Sequence, residues 1–353
     1  MTSSAAPVVS VLIPTFKPQP DYLRQALESI LGQTFQDFEI LILDDSPAEE
    51  HLVVAKVSAE LKDPRIKVVG GGERQGLIAS LNDGLKLAKG EFIARMDADD
   101  LSLPERFERQ LAFMKANPDI AVCGTQFEVF GGRSVVTDHS VGRQAVRDGL
   151  LFRGCIIGHP TVMMRRAVLE KFNARYEQRF HHAEDYGLWA VLSHRTQLSN
   201  LPDVFLRYRS HSHQTGQVQA ANTERVTREI KVFLLESLLA EAEKSSFDLE
   251  LLRQLIVFRQ PVETRELKSL AKLFNRLYWN NRRAAFYTLY PFRLLLQELW
   301  QIQYEGELIR DLKRLMNYYR FILVFRPSRL ALRRHLGLWK RFLFAKLNSQ
   351  SRA

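Results

Sequence analysis

The chain has 353 residues with 46% hydrophobic and 25% charged side chains, the proportions of an ordinary globular protein, so disordered and low-complexity architectures are excluded. Its length gives room for about two domains. The net charge of +10 is uneven: residues 1–224 carry a net −3 and residues 225–353 a net +13.

The first element predicted is a strand, VVSVLI from Val8 to Ile13, ended by Pro14. DYLRQALESIL follows, with Leu23, Ala26, Leu27 and Ile30 at helical spacing, Asp21 as the expected N-cap and Gly32 as the stop. FEILIL (38–43) is a second strand, running into Asp44-Asp45-Ser46-Pro47, and IKVV (66–69) a third, before three glycines. Leu77 to Ala88 reads as a helix, Glu91 to Ala94 as a fourth strand entering Asp97-Ala98-Asp99-Asp100, and Pro104 to Lys115 as another helix. Alternating strand and helix predicts a parallel α/β sheet. Beyond residue 120 the pattern is mixed α+β, and a helix starts near Glu184-Asp185. From Glu224 only helical spacing remains, over 224–258, 263–281 and 290–320. The expected division is a domain of residues 1–220 and a basic helical extension of residues 221–353, with the boundary near Gly216–Thr223.

Three predicted strands end in polar loops: Pro14-Thr15, Asp44-Asp45 and Asp97-Ala98-Asp99. Strand C-termini line the ligand crevice of an open parallel sheet, so these acids are expected on one rim. No glycine-rich phosphate loop is present. A divalent cation, Mn²⁺ or Mg²⁺, held by Asp97 and Asp99 with substrate phosphate oxygens is the substitute that such a rim suggests. The plainer alternative is a chance Asp-x-Asp in a loop. Glu184-Asp185 reads either as a helix cap or as a general base on the cleft rim. His211 and His213 could approach one ion, and are otherwise exposed loop residues, as are His181 and His182.

Taken in order, VSVLIPTFKP, SILGQTFQDFEILILDDSP, GLIASLNDGLKLAKGEFIARMDADDLSLPERFERQ, HPTVMMRR, AEDYGLW and LRYRSH closely resemble the family 2 glycosyltransferases over residues 8–216. The resemblance implies an A-type glycosyltransferase fold, a Rossmann-like mixed sheet flanked by helices, here with a C-terminal all-helical extension. It implies inverting transfer of a hexosyl or N-acetylhexosaminyl group from a nucleoside-diphosphate sugar, UDP-linked by family frequency, to a hydroxyl. Asp45 matches the base-recognising aspartate, with Pro14 and Thr15 lining the nucleotide pocket. Asp99 matches the better metal ligand and Asp97 the acid nearer the ribose. Asp185 matches the general base, and His211 a position that in some relatives completes the metal or diphosphate site. Two departures stand out: Asp-Asp-Ser-Pro replaces the commoner Asp-Asp-Gly-Ser, and Arg74 stands where many relatives carry Asn, a change that suggests a phosphate contact or altered donor preference.

Two cysteines, Cys123 and Cys155, fit a reducing compartment, and no secretory signal is expected in MTSSAAPVVSVLIPTF, so the chain is read as cytoplasmic. After Glu307, twelve basic residues face one acid, interleaved with Tyr, Phe and Trp. Residues 313–346 are read as an interfacial helix pair on an anionic membrane surface, peripheral on the cytoplasmic face, with a glycan or lipid-linked acceptor nearby. A packing layer over the catalytic domain is the alternative. Nucleic acid is not expected as a partner, since no motif for it appears. The rival readings are a nucleotidyltransferase, which would ordinarily carry a Gly-rich basic signature, and a catalytically inactive membrane-binding scaffold.

Overall fold

The computed structural model describes residues 6–132, 134–210, 220–240 and 243–301. The chain separates into two compact units, Met1–Ile230 and Lys231–Ala353.

In the first unit, strands β1 (Val9–Thr15), β2 (Phe38–Pro47), β3 (Ile66–Gly72) and β4 (Phe92–Arg95) are parallel, joined by helices α1 (Pro20–Leu31), α2 (Ala48–Leu61) and α3 (Leu77–Leu87). Next come β5 (Leu101–Ser102), α4 (Arg106–Ala116), β6 (Ile120–Phe130), β7 (Val135–Val136) and α5 (Arg143–Phe152). The unit continues with β8 (Met163–Arg165), α6 (Arg166–Lys171), α7 (Glu184–Ser193) and β9 (Gln197–Arg209). The sheet order is β3-β2-β1-β4-β8-β6-β9-β5, with β7 on β6. Because β8 is antiparallel to both β4 and β6, and β6 is parallel to β9, the C-terminal ends of β1 to β4, β6 and β9 share one rim. The N-terminal approach to β8 meets the same rim.

Alternation along the strands sets the layers. Val9, Val11 and Ile13 of β1 share a core with Leu23, Ala26, Leu27 and Ile30 of α1, Val54 and Val57 of α2, and Phe107, Leu111 and Met114 of α4. Leu12 and Leu43 point the other way, onto Gly84 of α3, where a Cβ would lie 2.6 Å from the Leu43 Cδ1. Each such fully buried aliphatic side chain stabilises the fold by about 1.5–3 kcal/mol.

Local differences from the expected elements have simple causes. Helix α1 begins at Pro20, suited to a first turn, so Gln19 is the N-cap and Asp21 falls inside the first turn. Helices α2 and α5 were not anticipated. The predicted 224–258 helix is two, α8 (Ala220–Glu236) and α9 (Ser246–Ile256), and Ser245 caps the second by accepting from the Asp248 amide.

The second unit packs α9 against α10 (Leu267–Ala284) and α10 against α11 (Leu289–Gln301), burying Leu251, Leu255, Leu270, Phe274, Leu277 and Phe292. Asn281, fully buried, holds the α10–α11 turn by exchanging two hydrogen bonds with the Tyr287 backbone, at 2.7 and 3.1 Å. Among the described residues no helix is long and apolar enough to cross a membrane. The basic segment 313–346 lies outside the described residues.

Candidate active site

The end of β2 carries two acids with different partners. Asp44 accepts from Thr15 Oγ1 at 3.1 Å and the Ser46 amide at 3.0 Å, and its Oδ2 lies 2.7 Å from His51 Nδ1. It therefore ties the ends of β1 and β2 to α2. The His51 ring rests on Gly71, where a Cβ would come within 2.1 Å of Nδ1, so only glycine admits it. Asp45 accepts at Oδ1 from the Gln75 amide at 2.5 Å and at both oxygens from the Gly76 amide, 3.0 and 3.1 Å, capping the approach to α3. Pro14 and Thr15 lie on the adjoining end of β1. Arg74 is exposed, its guanidinium 4.4 Å over the Phe16 ring centroid.

Asp97, Asp99 and Asp100 share the turn after β4. The buried Arg95 grips Asp97 through two bonds, Nη1 to Oδ2 at 2.9 Å and Nη2 to Oδ1 at 2.6 Å. Partial burial raises the Asp97 carboxyl, against the pull of Arg95 and with the help of Asp99. Asp100 is fully buried; burial, then the charges of Asp97 and Asp99, push its carboxyl well up, and its Oδ2 has no hydrogen-bond partner. Arg209, at the end of β9, pins the turn: its amide donates to Asp100 Oδ1 at 2.9 Å and its Nε to the Asp99 carbonyl at 2.8 Å. The turn is thus rich in negative charge but fixed in backbone.

Asp185 stands in the first turn of α7. The helix is seated by Gly187, where a Cβ would lie 2.2 Å from the Phe180 ring, and His182 turns the chain ahead of it at φ 81°. Asn82 of α3 secures the preceding segment by exchanging bonds with the Tyr176 backbone at 2.9 and 3.0 Å, and the Tyr176 hydroxyl meets His159 Nε2 at 2.9 Å. Burial, then the adjacent Glu184 charge, raise the Asp185 carboxyl to about 6, while the Tyr186 amide, Cys155 and Arg95 pull the other way. The charge of Arg95 favours the ionised forms of Asp97, Asp100 and Asp185 alike, and of the three it is Asp97 that it grips directly.

The rim therefore gathers Pro14, Thr15, Asp45, Asp97 and Asp99 at parallel strand ends, and Asp185 stands in the first turn of α7. His211 lies outside the described residues. Arg95, Asp100, Arg209, Cys155 and His51 were not singled out from the sequence, although a charged residue ending an apolar strand (Phe92-Ile93-Ala94-Arg95) was a visible sign of the first. Among the described residues no group of three His, Cys, Asp or Glu side chains is arranged to hold an ion unaided. Asp97, Asp99 and Asp100 oppose one another's ionisation, a repulsion that a bound cation would relieve, and Asp100 Oδ2 has no hydrogen-bond partner. Such a donor set fits an ion that takes one or two carboxylates and completes its shell with phosphate oxygens.

The model of glycosyl transferase family 2 matches residues 10–172. The amylovoran biosynthesis glycosyltransferase AmsE of Erwinia amylovora is 30% identical over 239 residues, covering 64% of this chain and 85% of AmsE. The Escherichia coli UDP-Glc:alpha-D-GlcNAc-diphosphoundecaprenol beta-1,3-glucosyltransferase WfgD is 29% identical over 199 residues, 56% of this chain and 75% of WfgD. Among solved structures, S. aureus TarS 1–349 in complex with UDP-GlcNAc superposes with a TM-score of 0.57 at 20% identity, covering 90% of this chain and 91% of that one. The strand-end acids, the mixed sheet flanked by helices and these relatives agree: the chain belongs to glycosyl transferase family 2 and has an A-type glycosyltransferase fold.

Proposed function

We propose that the protein is an inverting, metal-dependent transferase that moves a hexosyl or N-acetylhexosaminyl group from a UDP-sugar to a hydroxyl of a lipid-linked or surface-polysaccharide acceptor. The observation behind the reading is Asp185 in the first turn of α7, its carboxyl raised to about 6 by burial and by Glu184. Ionised above that pH, it is a base poised to accept a proton from an attacking hydroxyl. WfgD is named for UDP-glucose and a diphosphoundecaprenol-linked acceptor, and TarS was solved with UDP-GlcNAc; both favour a uridine donor and the first a lipid-linked acceptor.

In this reading Pro14, Thr15 and Asp45 line the nucleobase pocket, Arg74 meets a phosphate, and Asp97, oriented by Arg95, faces the ribose. Asp99, with Asp97 and His211, would hold Mn²⁺ or Mg²⁺, which would offset the charge of the departing diphosphate. Asp185 takes the acceptor proton while the turn fixed by Arg209 keeps the leaving group in place. Inversion follows from attack on the face opposite the diphosphate, with base and leaving group on opposite sides of the anomeric carbon. The basic segment 313–346 holds the protein against an anionic membrane surface on the cytoplasmic side, beside the acceptor.

The test is UDP release from UDP-glucose and UDP-GlcNAc with a polyprenyl-diphosphate-linked sugar as acceptor, with the product linkage read by NMR. An inverted anomeric centre and a loss of about a thousandfold in turnover for Asp185→Asn are expected. Retained configuration, or full turnover in the variant, would overturn the mechanism.

A further inference from the structure

Cys155 lies in the segment between α5 and the His159–Thr161 turn, 30 residues before Asp185 in the chain. Its Sγ is 3.4 Å from Asp185 Oδ2 and 3.5 Å from the Ile157 carbonyl oxygen. A thiol has one proton and serves one acceptor at a time. We propose that Cys155 is a positioning residue for the base: its thiol donates to Oδ2 of ionised Asp185 and turns to the Ile157 carbonyl when Asp185 takes up the acceptor proton. The proton on sulfur never leaves; only its direction changes. The ionised base therefore gains a donor, and the neutral acid loses nothing, because the thiol has a second acceptor within reach.

The charge around the sulfur supports a donor rather than a nucleophile. Desolvation at the sulfur, then the facing charges of Asp185 and Glu184, hold the thiol far above its ordinary range, although the residue as a whole is exposed. Other groups facing Asp185 are Glu184 on its own helix, Arg95 from β4 and Tyr176 from the segment before α7. Glu184 disfavours the ionised form and Arg95 favours it from a buried, fixed position. Neither can follow the proton. Cys155 can, since a thiol rotates about one bond.

The inference rests on Asp185 being the base, and its test separates the two. The carboxyl of Asp185 is titrated directly in the full chain by ¹³C NMR with γ-labelled aspartate, its resonance assigned by its loss in Asp185→Asn. Cys155→Ala should raise the midpoint by about half a pH unit, which lowers turnover about twofold near pH 6 and not at pH 8. Cys155→Ser, which keeps a donor, should restore most of the midpoint. An unchanged midpoint in Cys155→Ala, or an equal shift in both variants, would overturn the proposal while leaving the base intact. A shifted midpoint with Asp185→Asn fully active would retire the base, and Cys155 with it as a positioning residue.

Discussion

Arg95 holds the acidic turn from a position that is 3% exposed, and its charge also favours ionised Asp185. Its cost of burial is offset by two bonds to Asp97. Asp185 accepts from the Tyr186 amide and the Cys155 thiol, but burial and Glu184 outweigh them and raise its carboxyl to about 6. A carboxyl harder to ionise in the folded chain than in the unfolded one lends stability below the unfolded value of about 4, and that stability is lost as pH rises through the folded one. Asp185→Asn should thus match the parent in thermal unfolding below pH 4 and exceed it by about 1–2 kcal/mol at pH 8, a figure discounted for partial exposure. Equal stability at both pH values would contradict a raised carboxyl. The same ionisation predicts a turnover limb rising through about pH 6 in the parent protein.

At the scale of elements, what was legible was whatever ended an apolar run. VVSVLI, FEILIL and Phe92-Ile93-Ala94 are strands whose side chains alternate between the two faces of the sheet, and the polar residues that follow them mark one rim. Helix α2 escaped because it buries only Val54 and Val57, and α5 because glycine at 149 breaks its helical pattern. The grip of Arg95, the pin from Arg209 and the contact of Cys155 with Asp185 join residues far apart or on opposite sides of a turn, and no local spacing encodes them. The seat of α7 is such a long-range feature. Gly187→Ala would drive a Cβ into the Phe180 ring, 2.2 Å away, and should destabilise the fold by about 1–3 kcal/mol in denaturant titration. Turnover should fall more than nucleotide binding, because α7 carries Asp185 and not the strand-end acids. A silent substitution would mean that Phe180 swings aside freely and does not position the helix.

For the whole molecule, the charge is divided between the parts: net −3 over residues 1–224, where the acids of the rim lie, and net +13 over residues 225–353. A repulsive catalytic half gains from an attractive basic one if the acceptor is held at an anionic surface. The full chain should co-sediment with phosphatidylglycerol vesicles at low salt, release at high salt, and ignore phosphatidylcholine. Binding that ignores lipid charge and salt would assign the basic half to packing instead.

A metal-assisted uridine diphosphate site at the strand ends is read out by calorimetric titration of the protein with UDP, GDP and TDP, each with Mn²⁺ and with EDTA. UDP binding should need Mn²⁺, and Asp99→Ala should weaken it only when Mn²⁺ is present. UDP binding equal in EDTA, or an Asp99→Ala deficit independent of the ion, would contradict it.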